Sequence, residues 1–210
     1  MAAYALALFT LYLALAFVVR TVLQLRRTGS SGFNGISGRP GSAEWIGGVL
    51  FVFAFGIGLA APVHDLLGII EPIALLGGHP FRILGFAMFG LGLVGTLIAQ
   101  LVLGDSWRIG VDESETTDLV TSGPFAVVRN PIFAAMIPTS LGLTLLVPNV
   151  VALAAFLVLV AALELQVRLV EEPYLIRTHG ERYLLYASRV GRFVPGVGKL
   201  KAHSEPSWPY

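Results

Sequence analysis

Apolar residues occur in long, nearly uninterrupted runs along this chain. A helix needs about 20 apolar residues to cross the hydrocarbon core of a membrane, because each residue adds about 1.5 Å of length. Five runs reach or approach that length, so the pattern predicts an all-α, polytopic membrane helix bundle of about five transmembrane helices. The predicted spans are residues 3–25, 43–61, 81–103, 131–147 and 150–170.

The segments that flank these spans complete the predicted map. Arg20 lies near the end of the first span, where its side chain can snorkel to the interface. The tripeptide "VPN" at 147–149 predicts a tight antiparallel hairpin between spans four and five. Residues 63–80 are broken by Pro and Gly and are expected at the outer interface. Residues 171–188 are expected as a cytoplasmic helix continuing span five, followed by a tail after Val190.

Positive charges fall mainly on one side of this arrangement. With five spans, the loops 26–42 and 104–130 share a side with the C-terminal tail, and Arg82 lies near the other face. The positive-inside rule therefore predicts an external N-terminus and a cytoplasmic C-terminus. The cations of the positive side are Arg26, Arg27, Arg39, Arg108, Arg129, Arg177, Arg182, Arg189, Arg192, Lys199 and Lys201.

Composition supports a membrane protein and narrows its chemistry. Of 210 residues, 55% are hydrophobic and 13% are charged, and the mean hydropathy is +0.78. The net charge of +1 gives no reason to expect a nucleic-acid partner. There is no cysteine, and none of the four histidines has a second ligand at helical spacing. We therefore expect no metal site and no thiolate chemistry.

The third span contains the letters "GLGLVG", with Gly90, Gly92 and Gly95, which match the dinucleotide-binding pattern. That pattern binds a pyrophosphate only where a strand meets the start of a helix. Inside a membrane the same backbone N–H groups must bond within the helix. We therefore interpret the glycines as a surface for close helix packing.

Glu164, Arg168 and Glu172 recur at i, i+4 and i+8 and would stack on one helix face, with the arginine paired on both sides. The stripe is typical of a salt-bridged helix end at the headgroup level. Ionisable groups at membrane depth also commonly face an interior cavity, so a functional site stays open as an alternative.

The segment "SGPFAVVRNPIF" at 122–133 also has two interpretations. Asn130 is a good N-cap and Pro131 a good first helical residue. In the first interpretation the pair therefore does nothing more than begin the fourth span. Such a helix start also offers free N–H groups to an anion or carboxylate. Trp107 and Arg108, in the preceding loop, are candidates for contact with the headgroup layer or a site.

The order of motifs resembles a known superfamily. "LVTSGPFAVVRNPIF" is followed by two spans and then by "EEPYLIRTHGERYLLYASRVGRFVPG". This order is similar to the C-terminal half of the isoprenylcysteine carboxyl methyltransferase and phospholipid methyltransferase superfamily, with its G-P-[YF]…R-H-P-x-Y motif, Glu-Glu pair, tyrosine repeat and closing R-F-x-P. The resemblance covers residues 119–196 and extends through "SWRIGVDE" to about residue 106.

The resemblance implies an integral membrane enzyme that uses S-adenosylmethionine to methylate a lipophilic small-molecule acceptor among membrane lipids. It implies catalytic roles for Arg168, which would orient the acceptor, and for Glu172. The implied cofactor-binding residues are Arg129, Asn130, Pro131, Phe133, Glu171, Glu172, Tyr183, Tyr186 and Arg192.

Two positions depart from the motif of the superfamily. Asn130 stands where the superfamily has histidine, and Phe133 where it has tyrosine. Asparagine can exchange hydrogen bonds but cannot titrate near neutral pH, so a general base at this position is excluded.

We therefore expect a three-span N-terminal region, 1–103, and a methyltransferase-like core, 104–210, in a bacterial inner membrane. Two alternatives remain. One is an NADPH-dependent membrane reductase of the sterol-reductase type, and the other is a non-catalytic scaffold with the same fold.

Overall fold

The structure is a computed structural model, and it describes residues 1–32, 35–108 and 118–201. Five long helices and no β-sheet occur in these ranges, which confirms the predicted all-α fold class. Three short 3-10 turns lie between the helices, at Ala74–Leu76, Gly104–Ser106 and Gly123–Ala126. The helices are α1 Ala2–Thr28, α2 Ala43–Leu66, α3 His79–Leu103, α4 Pro131–Leu146 and α5 Val150–Arg189.

Four of these helices, α1, α2, α3 and α5, are long and apolar enough to cross a membrane. Helix α4 is apolar but has 16 residues, which corresponds to about 24 Å against a hydrocarbon core of about 30 Å. The helix count agrees with the prediction of about five, and the chain is an integral membrane protein.

The helices pack as two closely joined pairs. The most extensive contacts join α3 to α4 and α2 to α5, and α1 packs across α2 and α4. The buried core where these helices meet contains Tyr12 from α1, Phe89 from α3, Met136 from α4 and Leu163 from α5. One end of this core opens into the cavity described below.

Glycines allow the close approach of α3 and α4. A Cβ atom at Gly92 would lie 2.7 Å from the carbonyl oxygen of Ala135, and one at Gly95 would lie 3.2 Å from the Ala135 Cβ. A Cβ at Gly90 would meet nothing within 4 Å. The interpretation of "GLGLVG" as a packing surface is therefore confirmed at Gly92 and Gly95 and is wrong at Gly90, which faces away from α4.

We expect Gly92→Ala to destabilise the protein by about 1–3 kcal/mol, because the added methyl group meets backbone atoms of α4 that cannot move aside. The matched variant Gly90→Ala should be neutral or slightly stabilising, since its methyl group enters open space and alanine favours helix. Thermal unfolding of both purified variants in detergent measures the difference. Equal unfolding temperatures would contradict the close packing of α3 on α4.

Helix α1 contains a π-helical turn at Ala14–Val19 and ends beyond the predicted boundary, at Thr28. The expectation that Arg20 snorkels to the interface is wrong. Arg20 is buried, donates a hydrogen bond to the Gly104 carbonyl oxygen, and lies 4.8 Å from the centre of the Trp107 ring. This arginine therefore ties α1 to the turn that follows α3.

The predicted hairpin between α4 and α5 is present. Asn149 begins α5 as its N-cap, because its side-chain oxygen accepts a hydrogen bond of 2.8 Å from the Ala152 N–H. The Asn149 amide also donates to the Ala61 carbonyl oxygen at 3.2 Å. The asparagine is fully buried and links the hairpin to α2.

The broken segment 63–80 begins differently from the prediction. Helix α2 continues past Pro62 to Leu66 and therefore includes the first residues of this segment. Farther along, the Ile73 N–H donates to the Pro148 carbonyl oxygen at 2.6 Å, so the segment packs on the hairpin turn. A polar backbone group at this end of the bundle is thereby satisfied.

Candidate active site

A cavity of about 430 Å³ lies among α1, α2, α3, α4 and α5. Four of its charged lining residues, Glu44, Arg108, Asp118 and Arg129, lie at helix ends or in connecting segments, and Glu171 lies inside α5. The rest of the wall is mainly apolar and aromatic. Seven of the predicted site residues line it: Arg129, Asn130, Pro131, Phe133, Glu171, Tyr183 and Tyr186. Residues distant in sequence are thus brought to a single site.

Glu172 lies behind the cavity wall in a buried cluster of ionic groups. Its Oε1 accepts hydrogen bonds from Arg129 Nη2 at 2.5 Å and from Arg192 Nε at 2.8 Å. Its Oε2 accepts a bond of 2.8 Å from Arg192 Nη2. These bonds raise the pKa of Arg192 above its ordinary value. Both oxygens of the Glu172 carboxylate are therefore occupied by the two arginines.

The Arg129 guanidinium is directed to the C-terminal part of the chain. Besides its bond to Glu172, Nη1 donates to the carbonyl oxygens of Ala187 at 3.0 Å and Val190 at 2.5 Å. Nη2 donates to the Gly198 carbonyl oxygen at 3.0 Å. The side chain is almost fully buried and joins the start of α4 to the segment after α5.

The expectation of a tail after Val190 is wrong for the described residues up to 201. The Arg129 N–H donates to the Gly191 carbonyl oxygen at 2.8 Å, and the Asn130 N–H donates to the Arg192 carbonyl oxygen at 3.1 Å. An isolated parallel bridge pairs Val128 with Gly191. The C-terminal segment, residues 190–200, is thus fastened beside the start of α4.

Asn130 occupies the N-cap position of α4, but its side chain makes no capping bond, which corrects that part of the prediction. Its Nδ2 instead donates to the Arg192 carbonyl oxygen at 3.4 Å. The Ala134 N–H makes a helical bond of 2.8 Å to the Asn130 carbonyl oxygen. The N–H groups of Ile132 and Phe133 precede this ladder, and both residues line the cavity. The helix start thus offers donors to a ligand.

Glu171 is half-buried in the cavity wall, one position before Glu172. Its nearest electrostatic support comes from Arg108, whose guanidinium lies 5.2 Å from the centre of the Tyr174 ring. The Arg108 Nη1 atom is buried and has no hydrogen-bond partner. The cavity wall therefore contains both a carboxylate and an unsatisfied cationic donor.

The predicted stripe of Glu164, Arg168 and Glu172 does not form. A π-helical turn at Val167–Glu171 adds a residue to one turn of α5 and rotates Glu172 away from the face that carries Arg168. Within the described part of the chain, Arg168 pairs with Glu164 and not with Glu172, and the side chains of Arg168 and Glu164 are 56% and 39% exposed. The resemblance-based role of Arg168 in orienting the acceptor stays a prediction, and this residue is not part of the cavity wall.

The second half of α5 carries the two predicted tyrosines. The chain bends at Gly180, whose φ of 54° is accessible to glycine without steric cost. Beyond this kink Tyr183 and Tyr186 face the cavity, with ring centres 6.1 Å apart. The Tyr186 hydroxyl donates to the Phe125 carbonyl oxygen at 2.6 Å. The kink thus turns the last part of α5 back over the site.

Sequence reasoning missed a polar group deeper in the cavity, formed by Tyr12, Thr96 and Gln100. Thr96 and Gln100 are spaced i, i+4 within an otherwise apolar span. Polar residues inside membrane helices usually face the bundle interior, and this rule could have identified them.

Part of this chain is similar in sequence to known methyltransferases. Residues 81–182 match the family model described as phospholipid methyltransferase. Protein-S-isoprenylcysteine O-methyltransferase B of Arabidopsis thaliana is 30% identical over 115 residues, which are 54% of this chain and 58% of that protein. The predicted resemblance to the integral membrane methyltransferase superfamily is thus confirmed over about half of the chain.

A solved structure from this superfamily has the same fold. It is that of the eukaryotic intramembrane Ras methyltransferase ICMT (isoprenylcysteine carboxyl methyltransferase), and it aligns with a TM-score of 0.54 and 18% identity. The alignment covers 92% of this chain and 75% of that chain. The two chains therefore share their helical architecture.

A second relative has a name that indicates a different role. The nickel-cobalt-cadmium resistance protein NccN of Alcaligenes xylosoxydans xylosoxydans is 26% identical over 136 residues, 63% of this chain and 62% of that protein. The chain thus spans about three fifths of the length of both curated relatives. Within the residues that the structure describes, no group of three or more His, Asp or Glu side chains is placed to hold a metal ion.

Proposed function

We propose that this protein transfers a methyl group from S-adenosylmethionine to a lipophilic acceptor. The observation that carries the proposal is the cavity of about 430 Å³, which joins a polar mouth, with Arg108 and Glu171, to an apolar depth among membrane helices. Such a shape accommodates a zwitterionic cofactor at one end and a lipid at the other. The family match over residues 81–182 supports the same reaction class.

The residues at the cavity mouth fit the amino-acid part of this cofactor. The unpartnered Nη1 of Arg108 can donate to the carboxylate of the cofactor, and the N–H groups at the start of α4 offer further donors. The Glu171 carboxylate can accept a hydrogen bond from the ammonium group of the cofactor. Phe133, Tyr183 and Tyr186 supply aromatic surface to the remainder of the ligand.

When bound, the cofactor supplies a methyl group already activated by attachment to a positively charged sulfur. The chain's own residues then have to align the acceptor with that group and exclude water. A carboxylate acceptor needs no base, whereas an amine or hydroxyl acceptor must lose a proton. Among the described residues, three carboxylates line the cavity: Glu44, Asp118 and Glu171. We assign this role to Glu171, which has Tyr183 and Tyr186 on the same helix.

This proposal divides the Glu pair between two roles. Glu171 contacts the ligand, whereas Glu172 is a positioning residue that acts through Arg129 and Arg192. These two arginines fix the C-terminal segment beside the start of α4. Arg168 would meet an acceptor only on the outer face of α5, where its side chain is exposed.

We also propose that the cavity mouth faces the cytoplasm of a bacterial cell, with the N-terminus outside the inner membrane. The basis is the excess of Lys and Arg in the loops and C-terminal segment at the cavity end of the bundle. Cofactor would enter from the cytoplasm and the acceptor sideways from the lipid.

Isothermal titration calorimetry of the purified wild-type protein in detergent tests the proposed cofactor. S-adenosylhomocysteine, the demethylated product, should bind at one site per chain, and NADPH should not bind. Absence of S-adenosylhomocysteine binding would overturn the proposal, and saturable NADPH binding would favour the reductase alternative. A non-catalytic scaffold would bind the product but methylate nothing in a lipid extract supplied with labelled S-adenosylmethionine.

A further inference from the structure

The deep polar group of the cavity, Tyr12, Thr96 and Gln100, is not needed to bind a cofactor at the mouth. On α3, Gln100 and Thr96 lie roughly 5 and 10 Å inside the end of the helix at Leu103, from the rise of about 1.5 Å per residue. All three side chains are almost fully buried and line the cavity. Uncompensated polar groups at this depth are costly, so each needs a partner.

The orientation of the Gln100 amide is determined by its partner on α1. Its Nε2 donates to the Ala16 carbonyl oxygen at 2.8 Å, within the π-helical turn. A flipped amide would place two acceptor oxygens against each other, so Oε1 must point elsewhere. That Oε1 atom is buried and has no hydrogen-bond partner. Gln100 thus leaves one acceptor unsatisfied where it lines the cavity.

The neighbouring hydroxyls complete a neutral hydrogen-bonding group. The Tyr12 hydroxyl and Thr96 Oγ1 are 3.3 Å apart and share one hydrogen bond. Because two hydroxyls carry two protons, the pair retains a proton for a further bond. The surrounding cavity wall at this depth is formed by uncharged residues such as Phe17, Phe55 and Met136. The wall at this depth therefore offers no counter-ion to a charged ligand group, because the buried Arg20, one helical turn from Ala16, does not line the cavity.

We propose that this group binds a free, neutral hydroxyl carried by the lipophilic acceptor, as a specificity contact separate from the atom that is methylated near Glu171. The inference rests on the proposed function. The ligand hydroxyl donates to Gln100 Oε1 and accepts from the Tyr12 and Thr96 pair. An ether can only accept, and an ionised carboxylate can only accept and is also charged. Both should therefore bind more weakly than the alcohol.

The test uses three probes with the same chain: farnesol, its methyl ether and farnesoic acid. Binding to wild-type protein in detergent is followed by tryptophan fluorescence, since Trp107 lies in the cavity wall. Farnesol should bind about 5- to 10-fold more tightly than the ether, as expected for one added hydrogen bond in a buried site. In Gln100→Met the ratio should fall to about 1.

Gln24→Met is the matched control. Gln24 is equally buried, donates through Nε2 to the Asp105 carbonyl oxygen at 2.7 Å, and has an unpaired Oε1, but it does not line the cavity. This variant loses a comparable backbone bond and should keep the wild-type preference for the alcohol. A loss of preference in Gln24→Met would assign the effect of Gln100→Met to general loosening and overturn the inference.

Binding of S-adenosylhomocysteine to the same samples separates the two proposals. If the product binds but wild-type protein does not distinguish the alcohol from the ether, the acceptor inference is overturned and the proposed function stands. If the product does not bind, the proposed function fails, and the assignment of the ligand as a methyl acceptor fails with it. The wild-type comparison needs no variant, so a poorly folding Gln100→Met does not remove the test.

Discussion

Glu172→Gln is expected to lower the free energy of unfolding by about 3–5 kcal/mol, the usual cost of removing one partner from a buried ionic cluster. The glutamine has nearly the same shape, so the loss comes from charge. Arg129 and Arg192 would remain buried, or nearly so, without their counter-ion. An arginine side chain stays protonated in proteins, so deprotonation cannot relieve the repulsion.

The measurement is thermal unfolding in detergent combined with limited trypsin digestion. Glu172→Gln should lower the unfolding temperature by on the order of 10 °C and expose the C-terminal segment to cleavage after Arg192. The control is Glu164→Gln, which removes an exposed carboxylate on the same helix and should change stability by less than about 1 kcal/mol. Similar losses in both variants would contradict the anchoring role of Glu172.

Much of the fold follows from the sequence because apolar run length alone specifies membrane helices. The five runs gave the order of the helices, and "VPN" gave the hairpin between α4 and α5. Boundaries were less predictable, since the second span was predicted as residues 43–61, whereas α2 continues through Pro62 to Leu66. A proline in a membrane helix is tolerated when neighbouring groups satisfy the freed carbonyl, and that condition cannot be seen in a one-dimensional pattern.

The composition of the candidate site was predicted better than its connections. Ordered motifs brought together Arg129, Asn130, Glu171 and Tyr183, which do share one cavity. The partner of Glu172 was mistaken, because the i, i+4 rule assumes a regular α-helix and a π-helical turn interrupts it at Val167–Glu171. Whether a helix contains such a turn depends on packing against its neighbours, which a sequence pattern does not contain.

The deep polar group was not predicted from the sequence, because its partners lie on another helix. Gln100 and Thr96 are two polar residues in an apolar span, and they belong to no recognisable sequence motif. Their significance comes from Ala16 and Tyr12 on α1, more than 80 positions away in sequence, which hold one Gln100 nitrogen and one Thr96 hydroxyl. Only the three-dimensional arrangement shows that Oε1 lacks a partner.

Glu171→Gln is expected to have the opposite profile to Glu172→Gln: a large loss of cofactor affinity with little loss of stability. Glu171 lines the cavity, and the proposal gives it a charge-assisted hydrogen bond to the cofactor's ammonium group. Bonds of this kind contribute about 1.5–3 kcal/mol, which corresponds to about 10- to 150-fold in the dissociation constant. Calorimetry with S-adenosylhomocysteine measures the change.

Glu181→Gln serves as the control for that experiment, because it removes an exposed carboxylate from the same helix and should leave the affinity unchanged. Glu172→Gln should weaken binding only as far as it unfolds the C-terminal segment, so its affinity should recover at low temperature, where the segment stays docked. The affinity of Glu171→Gln should not recover, since the ligand contact itself is missing. A persistent loss in Glu172→Gln together with normal binding by Glu171→Gln would reverse the two assigned roles and make Glu172 the ligand carboxylate.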